Sequence, residues 1–203
     1  MRLRNNPEAE GLLLKSEYAI TKFPAKINKN TIIELGMGKG EMITQLAFEN
    51  PKTQYIGVEK FATVAHKAMK RAEKLGIKNF KIILGDIKDL PEFFDGKVET
   101  IWLTFSDPWP KVRHEKRRLT YKNFLNLYKE ILSPTGVIKF KTDNDKLFEY
   151  SVEHMEENNW DLTNVTRDFH SEKFVKGNVM TGYEEKWSSQ RKTINYLEAR
   201  VKK

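Results

Sequence analysis

The sequence predicts an α/β fold in which a mostly parallel β-sheet is covered by helices on both faces. Two observations favour this fold. Short apolar runs alternate with amphipathic, helix-like stretches along most of the chain, as in βαβ units. Acidic residues also stand at or just beyond the ends of three apolar runs, at Glu59, Asp86 and Asp107. Because the carboxyl ends of parallel strands meet at one edge of a sheet, we expect these acids to line a ligand site there.

The predicted elements follow one another from residue 31 onward. Runs rich in β-branched and aromatic residues predict strands at 31–35, 54–58, 80–84, 99–105 and 137–141. Apolar residues at helical spacing predict helices at 41–50, 61–75, 120–132 and 145–157, with a short helix after residue 84. Gly76 ends the second helix, and Pro134-Thr135-Gly136 predicts a turn into the fifth strand. Stretches 160–166 and 193–201 alternate in character and predict an antiparallel pair at the end of the sheet, whereas 1–29 and 169–192 are less regular.

Length and composition narrow the possible functions. The chain of 203 residues suits one domain covering 1–203, and its net charge of +8 favours a polyanionic partner. Cysteine is absent, which excludes disulfides, thiolate chemistry and Cys-based zinc sites. The four histidines show no metal-like spacing with carboxylates, so no metal is expected. No apolar run approaches the roughly 18–20 residues that span a bilayer, and no signal-peptide pattern is present. We therefore expect no membrane partner and a cytoplasmic location.

A glycine-rich stretch, Glu-Leu-Gly-Met-Gly-Lys-Gly at 34–40, joins the first strand to the first helix. Gly36, Gly38 and Gly40 permit a sharp turn and a close approach of backbone to a nucleotide-like ligand. Glu59, 19 residues after Gly40, is placed to accept hydrogen bonds from two ribose hydroxyls. Asp86 is placed to reach the adenine edge. Taken alone, the three glycines are equally compatible with a tight turn that binds nothing.

Two cofactors compete for this loop. The NAD fingerprint requires a third glycine where this chain has Glu41, whose carboxylate would sit near a pyrophosphate. Glu34 also faces the expected pocket, where a cationic ligand is favoured and a diphosphate is not. S-adenosylmethionine carries a sulfonium and an ammonium group and no phosphate. The charge pattern therefore favours S-adenosylmethionine.

The second informative stretch is Asp107-Pro108-Trp109-Pro110-Lys111, which follows the fourth strand. The two prolines stiffen the turn, so Asp107 is held beside the cofactor loop. Trp109 can stack on a base or pack beneath the loop, and both roles remain open. A cationic run follows, comprising Arg113, His114, Glu115, Lys116, Arg117 and Arg118. This run can bind phosphate, although such runs also occur at the solvated start of a helix. An acid beside a base-sized aromatic and a cationic run indicates chemistry on a nucleic-acid base.

Three motifs together resemble the bacterial tRNA (guanine-N7-)-methyltransferases. They are the loop at 34–40, Ser-Asp-Pro-Trp-Pro-Lys at 106–111 with Arg-His-Glu-Lys-Arg-Arg-Leu at 113–119, and Thr-Gly-Tyr-Glu-Glu-Lys-Trp at 181–187. The middle motif is highly specific, whereas the glycine loop is shared by many methyltransferases. The resemblance implies a class I S-adenosylmethionine-dependent methyltransferase (Rossmann-like) fold, with a mostly parallel seven-stranded sheet and an antiparallel end strand. It also implies S-adenosylmethionine as methyl donor and a guanine in the variable loop of tRNA as target.

The resemblance carries residue roles onto matching positions of this chain. The cofactor would be bound by Glu34, Gly36, Gly38, Gly40, Glu59, Asp86 and Asp107, and Asp107 would also be catalytic. The substrate would be bound by Lys111, Asp143, Thr181, Gly182, Tyr183 and Glu184. The run from Arg113 to Arg118 would contact RNA. Residues 1–29 would form an amino-terminal extension able to contact RNA as well.

The chemistry fits these residue types. Guanine N7 has an in-plane lone pair and no proton, so no general base is needed and the enzyme's main task is positioning. A carboxylate near the ring stabilises the positive charge that reaches the purine. Asp107, Asp143 and Glu184 are candidates, and the sequence does not divide the roles among them. Since A-form RNA hides N7 in a deep, narrow groove, an unpaired loop is the expected target.

Two other functions remain open. One is a methyltransferase for another RNA or for a small molecule, which the positive charge disfavours. The other is an inactive RNA-binding module on the same fold, which the intact set of acids disfavours. A second basic stripe, at Lys67, Lys70, Arg71 and Lys74, is expected to be a solvated helix face. We expect a monomer or a homodimer.

Overall fold

The computed structural model describes residues 6–171, 178–190 and 192–202, except for the side chains at 183 and 186. Within these residues the strands are β1 (Ala25–Lys26), β2 (Thr31–Leu35), β3 (Gln54–Glu59), β4 (Phe80–Leu84), β5 (Phe94–Asp95), β6 (Val98–Thr104), β7 (Leu132–Thr142), β8 (Trp160–Thr166) and β9 (Asn195–Val201). The α-helices are α1 (Ala9–Leu14), α2 (Glu41–Glu49), α3 (Ala62–Leu75), α4 (Leu90–Phe93), α5 (Lys122–Ile131), α6 (Asp145–Glu157) and α7 (Gly182–Ser189). Short 3₁₀ helices occupy Ile87–Asp89, Val112–Arg117 and Phe169–Ser171.

Seven strands form the central sheet in the order β4-β3-β2-β6-β7-β9-β8. Strands β4, β3, β2, β6 and β7 are parallel, and β9 runs antiparallel to both β7 and β8. The predicted mostly parallel seven-stranded sheet is therefore confirmed, as is the antiparallel pair at its end; β9 lies between β7 and the edge strand β8. The strand order reverses between β2 and β6, which is the switch point where ligands bind in folds of this kind.

Most of the predicted elements agree with the structure, because their apolar periodicity is strong. Strands β2, β4 and β8 and helix α6 have the predicted bounds. The predicted turn at 134–136 differs: β7 already begins at Leu132. Leu132 pairs with Val98 and Val137 pairs with Thr100, so the three residues bulge out of a strand that continues. Proline and glycine mark a bulge here as readily as they mark a turn.

Apolar side chains cover both faces of the sheet, as alternation along each strand requires. Neighbours Tyr55 and Ile56 on β3 belong to different buried clusters. One cluster packs under α1, α2 and α3, and the other packs under α4, α5 and α6. Two layers of helices therefore hold the carboxyl edge of the sheet in place. Within the described residues, no helix has the length and apolar character needed to cross a membrane.

The amino-terminal segment contributes to this packing through an element absent from the predicted set. Leu13 of α1 and Tyr18 are buried in the cluster shared with α3. The N–H of Ile82 donates to the carbonyl of Tyr18 at 2.7 Å, and the N–H of Ile20 donates to the carbonyl of Ile82 at 2.8 Å. Residues 18–20 thus run beside β4 and cover the outer edge of the sheet. The stretch Ala9–Leu14 contains a glycine and makes under two turns, so its helical periodicity is weak.

Candidate active site

The glycine loop between β2 and α2 turns at three residues with left-handed backbone. Gly36, Gly38 and Gly40 have φ angles of 72°, 57° and 65°, which L side chains rarely adopt. The N–H groups of Gly36 and Met37 donate to the carbonyl of Val58, at 2.8 and 3.2 Å, and fasten the loop to the end of β3. A Cβ at Gly40 would lie 2.8 Å from Cβ of Ala68, so glycine there also lets α2 pack closely on α3. The predicted turn is present at the carboxyl edge of the sheet.

Glu34 is a buried carboxyl beneath this loop, with 1% of its surface exposed. Its Oε1 accepts a hydrogen bond from the Thr104 hydroxyl, whereas its Oε2 has no hydrogen-bond partner among the described residues. Burial raises the pKa of Glu34 to about 7, opposed by the Thr104 hydrogen bond and the charge of Lys141. A buried acceptor without a partner is costly, so this oxygen suits a cationic donor on a ligand. The ammonium group of S-adenosylmethionine fits that requirement.

Glu59 ends β3 and connects the loop to the strand. Its Oε2 accepts from the N–H of Gly38 at 3.1 Å, and its Oε1 accepts from the N–H of Phe61 at 2.9 Å. Burial raises the pKa of Glu59, opposed by these backbone hydrogen bonds. Because a carboxylate offers about four acceptor sites, these backbone contacts leave capacity for a ribose hydroxyl.

Asp86 lies two residues beyond the end of β4, which is paired with β3. Its Oδ1 accepts from the N–H of Lys88 at 3.1 Å and caps the 3₁₀ helix at Ile87–Asp89. The cap fixes the carboxylate at the same edge of the sheet as Glu59. Among the described residues its second oxygen accepts no hydrogen bond, which fits the expected contact with the adenine side of a nucleoside.

Asp107 is exposed in the loop after β6. In the part of the chain that the structure describes, no hydrogen bond or ion pair involves its carboxylate. The loop around it is strained, since Phe105 and Trp109 have φ angles of 48° and 42°. A free carboxylate in a strained loop at the switch point is positioned for an incoming ligand.

Arg118 holds this loop in place. Its Nε donates to the carbonyl of Pro108 at 3.2 Å, and its Nη2 donates to the carbonyl of Trp109 at 3.1 Å. The guanidinium also lies 4.1 Å from the ring centroid of Tyr150 on α6. This fork of donors fixes the two carbonyls that follow Asp107, which is a task that suits the planar arginine group.

The predicted cationic run therefore divides into two parts. Arg113, Lys116 and Arg117 are exposed, while Arg118 is partly buried and turned towards the loop. Trp109 packs within the loop, 4.8 Å from the Arg117 guanidinium and edge-on to His114 at 5.9 Å. Glu115 and His114 are partly buried in the same 3₁₀ helix. The exposed cations are arranged to meet a polyanion; Lys67, Lys70, Arg71 and Lys74 on α3 are exposed as well.

Helix α7 starts at the third predicted motif and is docked by buried charges. Thr181 caps it, accepting from the N–H of Glu184 at 3.0 Å, and the N–H of Gly182 donates to Oε2 of Glu41 at 2.7 Å. Glu184 forms an ion pair with Lys141 of β7, 2.9 Å apart, and both side chains are fully buried. The side chain of Tyr183, a predicted substrate residue, lies outside the described residues.

Two further predicted substrate residues lie at this edge. Asp143 directly follows β7, and its Oδ2 is 3.5 Å from Nζ of Lys192. Lys111 is exposed at the end of the Asp107 loop and, among the described residues, forms no ion pair. Across the described residues no cluster of three or more His, Asp or Glu is placed to bind a metal. The edge thus brings together the ends of β2, β3, β4, β6 and β7. Each has an acid at or beyond its end, except β2, whose acid Glu34 is the penultimate residue of the strand.

Comparison with known proteins agrees with this architecture. A family model described as "Putative methyltransferase" matches residues 28–197. A tRNA (guanine-N(7)-)-methyltransferase of Mycoplasma mobile is 53% identical over 98% of this chain and 99% of that protein. The enzyme of the same name from Mycoplasmopsis pulmonis is 49% identical over 100% of both chains.

The chain belongs to the tRNA (guanine-N(7)-)-methyltransferase family. Among solved structures, the 16S rRNA methyltransferase KamB superposes with a TM-score of 0.64 at 14% identity, covering 100% of this chain and 97% of that chain. At this identity the likeness shows the fold, which is that of the class I methyltransferases. The predicted family and fold class are both confirmed.

Three residues that contribute to the site were not among the site residues predicted from the sequence. Lys141 lies on β7 two residues after Lys139, another lysine on the same face of the strand, so the sequence alone did not mark Lys141 as the buried one. Glu41 was considered only as an obstacle to phosphate, yet it binds the start of α7. Tyr150 lies on α6 and supports Arg118, a contact between distant parts of the chain that no local pattern indicates.

Proposed function

We propose that this protein transfers the methyl group of S-adenosylmethionine to N7 of a guanine in the variable loop of tRNA. The observation that carries the proposal is the juxtaposition at neighbouring strand ends. The end of β2 holds the glycine loop and a Glu34 oxygen with no hydrogen-bond partner among the described residues. The adjacent β6 leads to the Asp107 carboxylate, which is likewise unpaired within the described ranges. The family to which the chain belongs supports the same reaction.

The residues divide between the two ligands. Glu34, Gly36, Gly38, Gly40, Glu59 and Asp86 hold the cofactor, with Asp107 between it and the base. Lys111, Asp143 and the start of α7 face the nucleotide being methylated. Arg113, Lys116 and Arg117 bind phosphates of the tRNA, which their exposure and positive charge support.

When bound, S-adenosylmethionine supplies an electrophilic methyl group on a sulfonium. Guanine N7 carries a lone pair and no proton, so no side chain has to act as a general base. The protein's contribution is to hold the two reactants in line and close together. We expect Asp107 to accept hydrogen bonds from the guanine edge and to stabilise the positive charge that the ring gains.

Residues 1–203 form a single methyltransferase domain, in which 1–29 is an extension that can reach RNA. The protein acts in the cytoplasm, where tRNA is found, as a monomer or a homodimer and without a metal ion.

The test is to incubate the protein with an unmodified tRNA transcript and S-adenosylmethionine, then identify the methylated nucleoside by mass spectrometry. We expect 7-methylguanosine in the variable loop. A transcript with adenine at that position is the matched control and should gain no methyl group. Methylation at another position of the RNA, or cofactor binding without transfer, would contradict the proposal.

A further inference from the structure

We propose that Lys141 is a positioning residue and that Glu184, through its ion pair with Lys141, holds α7 over the site instead of binding the guanine. This inference rests on the proposed function and assigns roles within the same site. It reverses the expectation that the Glu184 carboxylate contacts the substrate, and it leaves Asp107 and Asp143 as the acids that face the base.

The hydrogen bonds of Glu184 are already used inside the protein. Its Oε2 accepts from Nζ of Lys141 at 2.9 Å. Its Oε1 is 2.8 Å from Nε2 of His170 and accepts from Nδ2 of Asn178, also at 2.8 Å. The side chain is fully buried, so a base could reach it only after these contacts were broken. A carboxylate that meets three donors within the fold is arranged for anchoring.

The ammonium group of Lys141 also makes its hydrogen bonds inside the protein. Its Nζ donates to Glu184 and to Oδ1 of Asn178, the latter at 2.6 Å, and it lies 5.1 Å from the ring centroid of Trp102. Burial lowers the pKa of Lys141, opposed chiefly by the charge of Glu184. Without that carboxylate the ammonium would lose its nearest compensating charge, because the other acid that acts on it is Glu34, beneath the cofactor loop.

A second anchor fixes the start of the helix. The N–H of Gly182 donates to Oε2 of Glu41 at 2.7 Å, and Arg71 lies 3.7 Å from the other oxygen of Glu41. Glu41 begins α2, directly after the glycine loop, whereas Lys141 lies on β7. Because β6 lies between β2 and β7 in the sheet, the first turn of α7 bridges the strand that leads to Asp107. The two anchors therefore connect the cofactor loop to the side of the site where the base enters.

The register of the sheet explains why this bridge affects both ligands. Lys141 pairs with Thr104 of β6, and the hydroxyl of Thr104 donates to Glu34. One strand, β6, thus separates the ion pair that docks α7 from the acid proposed to bind the cofactor. The side chains that dock α7 and the acid proposed to bind the cofactor therefore belong to one buried network.

The test is a double-mutant cycle on the full-length chain with Lys141→Met, Glu184→Met and the combined variant. Each single change leaves one buried charge unpaired, which should lower the ratio of docked to undocked α7 by about 10²-fold. The combined variant replaces the pair by apolar side chains of similar size, which proteins often tolerate without loss. We expect both single variants to raise KM for tRNA strongly while kcat at saturating tRNA changes less. The combined variant should recover kcat/KM to within about tenfold of wild type.

Hydrogen exchange of the amides of α7 supplies the structural readout. The single variants should exchange faster than wild type at 182–189, and the combined variant should match wild type. A combined variant with wild-type exchange but the activity of Glu184→Met would show that the carboxylate touches guanine, and would overturn the inference. Exchange in the combined variant as fast as in the singles would also overturn it, because an apolar pair should keep the helix docked. Absence of 7-methylguanosine with the wild-type protein would instead count against the proposed function, and the exchange results would stand separately.

Discussion

Replacing Arg118 separates loop positioning from RNA binding, since this arginine belongs to the cationic run by sequence and to the Asp107 loop by contact. Arg118→Lys keeps the positive charge but removes the planar fork that reaches the carbonyls of Pro108 and Trp109. Arg118→Leu removes the charge as well. If Arg118 positions the loop, both variants should slow methyl transfer at saturating tRNA and cofactor.

The expected size follows from the contacts. A hydrogen bond from a charged donor contributes about 1.5–3 kcal/mol net, and exposure reduces this because Arg118 is only partly buried. The stacking on Tyr150 adds about 0.5–1 kcal/mol. A total near 3 kcal/mol for Arg118→Leu corresponds to a rate about 10²-fold lower. Arg118→Lys, which can still donate one hydrogen bond, should lose about tenfold.

The assay is single-turnover methyl transfer at saturating tRNA, with the salt dependence of tRNA affinity measured in parallel. Lys116→Ala is the matched control, because Lys116 is exposed in the same run. The control should keep its rate and flatten the slope of log affinity against log salt by about 0.7–0.9. The Arg118 variants should lose rate and, for Arg118→Lys, keep the slope. If Arg118→Leu flattened the slope and kept a wild-type rate, with an unchanged thermal transition, the positioning role would be refuted.

Four further outcomes are expected. Asp107→Ala should fold normally and lose about 10²–10³-fold in single-turnover rate; a rate near wild type would remove Asp107 from the reaction. Glu59→Ala should weaken S-adenosylmethionine binding in calorimetry and leave tRNA affinity unchanged, because its carboxylate contacts Gly38 of the cofactor loop. Burial raises the pKa of Glu34 from 4.5 to about 7, so the folded protein binds this proton more tightly than the unfolded chain does. The free energy of unfolding should therefore decrease as the pH rises from 4.5 to 7, by up to about 3 kcal/mol. Cofactor affinity should rise around pH 7 as the carboxylate ionises. Glu34→Gln should abolish both pH dependences, measured as the free energy of unfolding at pH 5 and 8 and as cofactor binding at pH 6 and 8. Replacing the three exposed cations Arg113, Lys116 and Arg117 by alanine should weaken tRNA binding and leave cofactor affinity intact. The slope of log tRNA affinity against log salt should flatten by about 0.7–0.9 per residue replaced.

Much of the fold could be predicted because its signals are local. The strands end in acids and the helices carry apolar stripes, so the parallel sheet and its ligand edge follow from spacing alone. The glycines at 36, 38 and 40 each adopt a left-handed backbone, as a tight loop requires. These are positions where one residue type satisfies one local need.

The contacts that arrange the site could not be predicted in the same way. Lys141 and Glu184 are separated by 43 residues, and neither pattern nor composition indicates that they pair. Helix α7 is mostly polar and carries one large apolar side chain, Trp187, which packs against Phe169, Ile194 and Tyr196. Its docking therefore depends on buried charge as well as on this contact, and no apolar stripe indicates it. Arg118 has the same sequence surroundings as its exposed neighbours, and its contacts with Tyr150 on α6 and with the carbonyls of Pro108 and Trp109 turn it inward. Tertiary contacts decide the direction of each of these side chains.

Residues 18–20, which run beside β4, affect whether copies of the protein can associate through the edge of the sheet. An uncovered edge strand offers a row of free N–H and carbonyl groups to any other strand it meets. Here Ile82 exchanges hydrogen bonds with the chain at Tyr18 and Ile20, and Tyr18 also donates its hydroxyl to the carbonyl of Ile77 at 3.0 Å. The edge is thereby withdrawn from pairing between copies, which keeps this side of the sheet from seeding aggregation.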